Sequence, residues 1–110
     1  MALIAVGVWQ SQPAVSAEPA VRLMAGEFFF RPKEVSAVPG EVTFTIQNGG
    51  AIEHDFVVEN AGSKRLAEIP VIEPGQTLET TVTISLGVYT IYCSLPGHRE
   101  AGMVATLSVR

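Results

Sequence analysis

Tyr89-Thr90-Ile91-Tyr92-Cys93-Ser94-Leu95-Pro96-Gly97-His98-Arg99-Glu100-Ala101-Gly102-Met103 carries the only cysteine of a 110-residue chain. Side chains along a strand alternate between faces, so Tyr89, Ile91 and Cys93 fall on one side and Tyr92 points outward. Four residues separate Cys93 from His98, and four more separate His98 from Met103. A thiolate, an imidazole and a thioether therefore leave one short loop. Within it, Pro96 fixes its backbone and Gly97 is free to take a positive φ, which swings His98 back toward the side on which Cys93 lies.

That donor grouping has a chemical meaning. Thiolate and thioether suit Cu(I), imidazole suits both oxidation states, and a trigonal His, His, Cys set with a weak axial Met describes a blue-copper centre. The chain has one other histidine, His54, in Ala51-Ile52-Glu53-His54-Asp55-Phe56-Val57-Val58, where an irregular stretch gives way to an apolar strand. Taken singly, Met103 reads as core filler, His54 as a surface or cap residue and Cys93 as a small buried hydrophobe. Their order, with the Pro-Gly turn between them, is what makes the set specific.

With a His before a short apolar strand, an aromatic-rich strand ending in Cys, then Pro-Gly-His and Ala-Gly-Met, the sequence resembles the cupredoxin family over most of residues 22–110. Within that family it is similar to the small plastocyanin-like and auracyanin-like blue copper proteins. The resemblance implies one type 1 copper ion, with His54, Cys93 and His98 as equatorial ligands and Met103 as the axial one. In many relatives the residue after the first histidine is Asn or Ser. Here it is Asp55, which leaves the hydrogen bonding around the site open.

The flanking sequence agrees with an all-β domain. Val42, Phe44 and Ile46 alternate with Thr43 and Thr45, the clearest half-buried strand in the chain. Thr80, Val82 and Ile84 share a face of a second strand, and Ala105, Leu107 and Val109 of the last one. Residues 20–30 read as one strand with a bulge, Glu34–Val38 and Phe56–Glu59 as short strands. Pro39-Gly40 and Pro74-Gly75 have the composition of type II turns. Asn60 to Pro74 is the longest connection, with a weakly signalled helical turn at Lys64–Glu68. The pattern predicts an antiparallel Greek-key β-sandwich, cupredoxin-like, of seven to eight strands.

Composition bounds the rest. The length suits one domain, placed at 18–110, and 47% hydrophobic with 16% charged residues excludes disorder. A net charge of -4 argues against a nucleic-acid partner. The first seventeen residues carry no charge, and Met1–Trp9 is an apolar run followed by Val15-Ser16-Ala17. Residues 1–17 thus read as a signal peptide without its usual basic start, or as a disordered leader. The run is too short for a membrane-spanning helix. Export also suits an unpaired cysteine, which in an exported protein needs an explanation that a copper thiolate supplies. The expected location is periplasmic or otherwise extracytoplasmic, with membrane association left open.

The function this implies is a monomeric carrier that shuttles single electrons between redox partner proteins, not an enzyme. Leu95, Pro96, Ala101 and Gly102 would surround His98 with an uncharged docking patch, and Tyr92 offers a second exit. The alternatives are a copper domain of, or accessory to, a copper enzyme, a copper store or chaperone, and a metal-free adhesive sandwich. Multicopper enzymes need more histidines than two. The binuclear domain of a terminal oxidase needs a second cysteine where Gly97 stands.

Overall fold

The computed structural model describes residues 20–110; the leader expected at 1–17 lies outside the described residues. Nine strands run through them: β1 (Ala20–Gly26), β2 (Phe29–Arg31), β3 (Glu34–Ala37), β4 (Gly40–Asn48), β5 (His54–Glu59), β6 (Arg65–Ile72), β7 (Thr77–Ile84), β8 (Gly87–Tyr92) and β9 (Val104–Val109). One sheet has the order β2-β1-β4-β7 and the other β3-β9-β8-β5-β6. Alternation decides which side of each strand is buried. Val21, Leu23 and Ala25 of β1 and Val42, Phe44 and Ile46 of β4 face inward, as do Ala105, Leu107 and Val109 of β9. Phe56 of the second sheet meets Phe44 and Phe30 of the first, with ring centroids 5.4 and 6.1 Å apart.

The sandwich differs from the expected one in three respects. Each sheet contains one parallel pair, β1 with β4 and β3 with β9, among otherwise antiparallel neighbours. Hydrophobic alternation fixes the buried face but carries no information on the direction of a partner remote in sequence. Residues 20–30 form two antiparallel strands rather than one bulged strand, because the chain reverses at Glu27-Phe28, where Phe28 takes φ 69°. Lys64–Glu68 contains no helical turn; Arg65–Ile72 is extended at the edge of its sheet. Pro70 is compatible with that position because an edge strand leaves one row of amides unpaired. The pairing of β5 with β6 also slips there, from His54 opposite Ile72 to Phe56 opposite Ile69.

The topology then positions the chemistry. β5 and β8 are antiparallel neighbours with Val57 opposite Tyr92. The start of β5, at His54, and the end of β8, just before Cys93, therefore lie at one end of the sheet. The segment from Cys93 to Met103 closes over that end before β9 begins opposite Tyr92.

Candidate metal centre

The closing segment is tied to itself by backbone hydrogen bonds. Cys93 N–H donates to the Met103 carbonyl at 3.3 Å, and Met103 N–H donates to the His98 carbonyl at 3.1 Å. His98 N–H donates to Leu95 at 3.0 Å and Ala101 N–H to Gly97 at 3.1 Å. The tight turn this produces needs Gly97 at φ 84°, a backbone region unfavourable to residues with a Cβ. His54 enters from the other side, after a loop organised by Asn48. The buried amide of Asn48 donates to the carbonyls of Ile52 and Ile72 at 2.9 and 2.8 Å, and its oxygen accepts the Gly50 N–H at 2.8 Å.

These constraints bring His54, Cys93 and His98 together. Nδ1 of His54 lies 3.2 Å from Nδ1 of His98, which lies 3.4 Å from Sγ of Cys93. All three donor atoms fall within 4.8 Å of one another. His54 and Cys93 are fully buried, and His98 is half-buried beneath the edge of Phe28, whose ring centroid is 5.0 Å away. Met103 is fully buried against the same core cluster, hydrogen-bonded through its backbone to both Cys93 and His98.

The donor set fits a metal ion. Two imidazole nitrogens held at about 2.0–2.1 Å from one ion at trigonal angles sit roughly 3.5 Å apart, close to the separation between the histidines. Burial and the neighbouring His98 push the His54 imidazole below its ordinary pKa, against the opposing pull of Glu27, so the ring is a neutral lone-pair donor. A neutral imidazole carries one proton. The Glu27 carboxylate, 3.7 Å from Nε2, favours the proton there and leaves Nδ1 bare toward Cys93 and His98. Burial pushes the Cys93 thiol up, while the Asp55 amide, 3.4 Å from Sγ, favours the thiolate. A bound cation would deprotonate such a thiol outright. One thiolate with two imidazoles, with a methionine closing the same loop, is a set that selects copper over harder ions.

Asp55, left open by the sequence, has two roles. Its backbone N–H faces the sulfur, and its carboxylate accepts from Ser94 N–H at 2.6 Å and from the Ser94 hydroxyl. Tyr92 does point away from the core, but it is covered. Arg99 stacks over its ring at 4.0 Å, its hydroxyl donates to Glu59 at 2.9 Å, and Arg99 pairs with Glu59 at 3.6 Å. Only 5% of Tyr92 is exposed, so the outward exit expected from alternation lies beneath this cluster. Leu95 is half-buried and packs against the core cluster. The residues that sequence reasoning missed are Glu27 and Phe28. They sit in the β1–β2 turn, far along the chain from His54, Cys93 and His98, and no spacing rule points to them.

A sequence model of the family described as copper binding proteins, plastocyanin/azurin family, matches residues 17–110. The chain is 30% identical over 115 residues to the copper-resistant cuproprotein CopI of Rubrivivax gelatinosus, covering 88% of this chain and 70% of that protein. The protein of the same name from Pseudomonas aeruginosa is 22% identical over 143 residues, covering 88% of this chain and 79% of its own length. In structure, the chain superposes on reduced auracyanin from Roseiflexus castenholzii with a TM-score of 0.78 at 21% identity, over 86% of this chain and 98% of that one. At that identity the likeness speaks to the fold.

Proposed function

The chain belongs to the plastocyanin/azurin family of copper-binding proteins, and from that membership we propose that it is a type 1 copper protein carrying single electrons between partner proteins outside the cytoplasm. His54 and His98, each through Nδ1, and Cys93 through Sγ would hold the ion, with Met103 as the weak axial ligand. Copper bound there would supply one-electron chemistry through its Cu(II) and Cu(I) states. The observation that carries the reading is the convergence of three buried or half-buried donors from two separate parts of the chain.

The protein's part is to keep those donors still. Cys93 and Met103 are joined by a backbone hydrogen bond, His98 is wedged against Phe28, and the loop before His54 is pinned by Asn48. Donors fixed by packing and hydrogen bonds change position little with the charge between them, which favours electron transfer. His98 is the ligand nearest solvent, and exposed Phe28, Pro96 and Ala101 offer a partner an uncharged approach. A small contact suffices for a transient redox encounter.

A second reading has its own support. Both curated relatives are named as copper-resistance cuproproteins, which fits a copper store or a protein that buffers the metal. Absorption and voltammetry of the copper-loaded protein separate the two. The carrier requires an intense thiolate-to-copper band in the visible and a reversible one-electron wave. A colourless or irreversibly reduced copper adduct overturns it in favour of storage.

A further inference from the structure

His54 Nε2 is the one buried side-chain nitrogen or oxygen among the described residues without a hydrogen-bond partner. Such an atom costs about 1–3 kcal/mol when left unpaired. The nearest anion is the carboxylate of Glu27, with Oε2 at 3.7 Å. Glu27 is not there by chance of rotamer. Its Oε1 accepts the Ala51 N–H across the loop that leads into His54, and a Cβ on Gly50 would collide with the carboxylate. The loop before His54 is thus shaped around this side chain, and the residue after it, Phe28, packs edge-on to His98.

The geometry points to Glu27 as a positioning residue for the metal centre: its carboxylate faces Nε2 of His54 from 3.7 Å and, closing onto the Nε2–H when the ion is bound, fixes Nδ1 as the ligand atom and makes that nitrogen a stronger donor. The inference rests on the copper reading above. A carboxylate behind a ligating imidazole orients the ring and raises its basicity, and loss of such partners typically weakens metal binding about 10–100-fold. The added negative charge favours Cu(II) over Cu(I), so Glu27 also holds the reduction potential down.

Glu27→Gln isolates this role. The glutamine oxygen still accepts from Ala51 N–H, so the loop keeps its anchor, but the amide nitrogen cannot accept from His54. The expected result is a Cu(II) dissociation constant raised roughly tenfold by chelator competition. Cu(I) affinity should change little, so the potential rises by about 59 mV for each tenfold difference between the two states. The melting temperature of the metal-free protein should stay at the wild-type value. In the diamagnetic Cu(I) protein, the His54 Nε2–H NMR signal should exchange faster with solvent in the variant. Wild-type Cu(II) affinity and potential in Glu27→Gln overturn the positioning role while leaving the copper reading intact. A wild-type protein without the visible thiolate band overturns both.

Discussion

The backbone N–H of Asp55 faces the sulfur of Cys93 across 3.4 Å, while the carboxylate of the same residue accepts from the N–H of Ser94, the residue after that cysteine, at 2.6 Å. One residue thereby clamps the strand that bears the first histidine to the strand end that bears the thiol. Asp55 is 6% exposed and Ser94 half-buried, and the carboxylate is the partner of both Ser94 donors. Asp55→Ala should destabilise the metal-free protein by about 1–3 kcal/mol, the scale of losing hydrogen bonds to a charged acceptor. In urea unfolding the midpoint should fall with an unchanged m-value. The amide contact to sulfur is backbone and survives the substitution, so the copper-loaded variant should remain coloured. An unshifted midpoint would show that Ser94 finds another acceptor.

Cys93→Ser should remove the visible charge-transfer band, because an alkoxide is not the soft, polarisable donor from which that transition arises. It should also remove most of the thermal stabilisation by copper. At free metal a thousandfold above its dissociation constant, binding to the folded state alone stabilises wild type by about 4 kcal/mol. Calorimetry with and without Cu(II) measures this directly. A Cys93→Ser protein that keeps the intense band would sink the thiolate assignment.

The convergence of His54, Cys93 and His98 was legible in the sequence because so few residues offer such donors. Cys93, His98 and Met103 lie within one loop, and His54 was the only remaining histidine. The strands with strict alternation, such as Val42–Ile46, were legible because their pattern is local. What escaped depends on contacts between segments remote in sequence. Nothing around Glu27 or Phe28 announces that the β1–β2 turn reaches His54 and His98. Charged Arg65 and Pro70 read as a loop, yet an edge position tolerates both, and Arg65–Ile72 is a strand. Alternation placed Tyr92 on the outer face correctly, but burial there is decided by Arg99, which folds back from the ligand loop.

Met103 should tune the centre rather than hold it, since an axial thioether is a long, weak ligand. Its side chain is fully buried, so glutamine, of similar length, is the least disruptive way to offer a harder donor. Met103→Gln should keep the band and lower the reduction potential, because an oxygen donor favours Cu(II). Cyclic voltammetry of the two proteins decides the point. A potential that is unchanged or higher would remove Met103 from the axial position.

Electrons should leave through the half-buried edge of His98, and Phe28 offers a sharper probe of that route than Leu95. Leu95 packs on the core, so a charge there would disturb the fold; Phe28 is 41% exposed and stands edge-on to His98. Its backbone has φ 69°, a region in which aspartate is tolerated better than an aromatic residue. Phe28→Asp should therefore fold while placing a negative charge beside the exit. Two oxidised and reduced copies exchanging electrons must bring these rims together, so the charges repel, and self-exchange measured by NMR line broadening should slow roughly tenfold at low salt. Added salt should restore part of the rate, since exposed charges are screened within about 10 Å at 0.1 M. The competing route runs through Tyr92 under the Arg99 and Glu59 cluster. Self-exchange that ignores Phe28→Asp and drops instead in Tyr92→Leu would move the exit to that face.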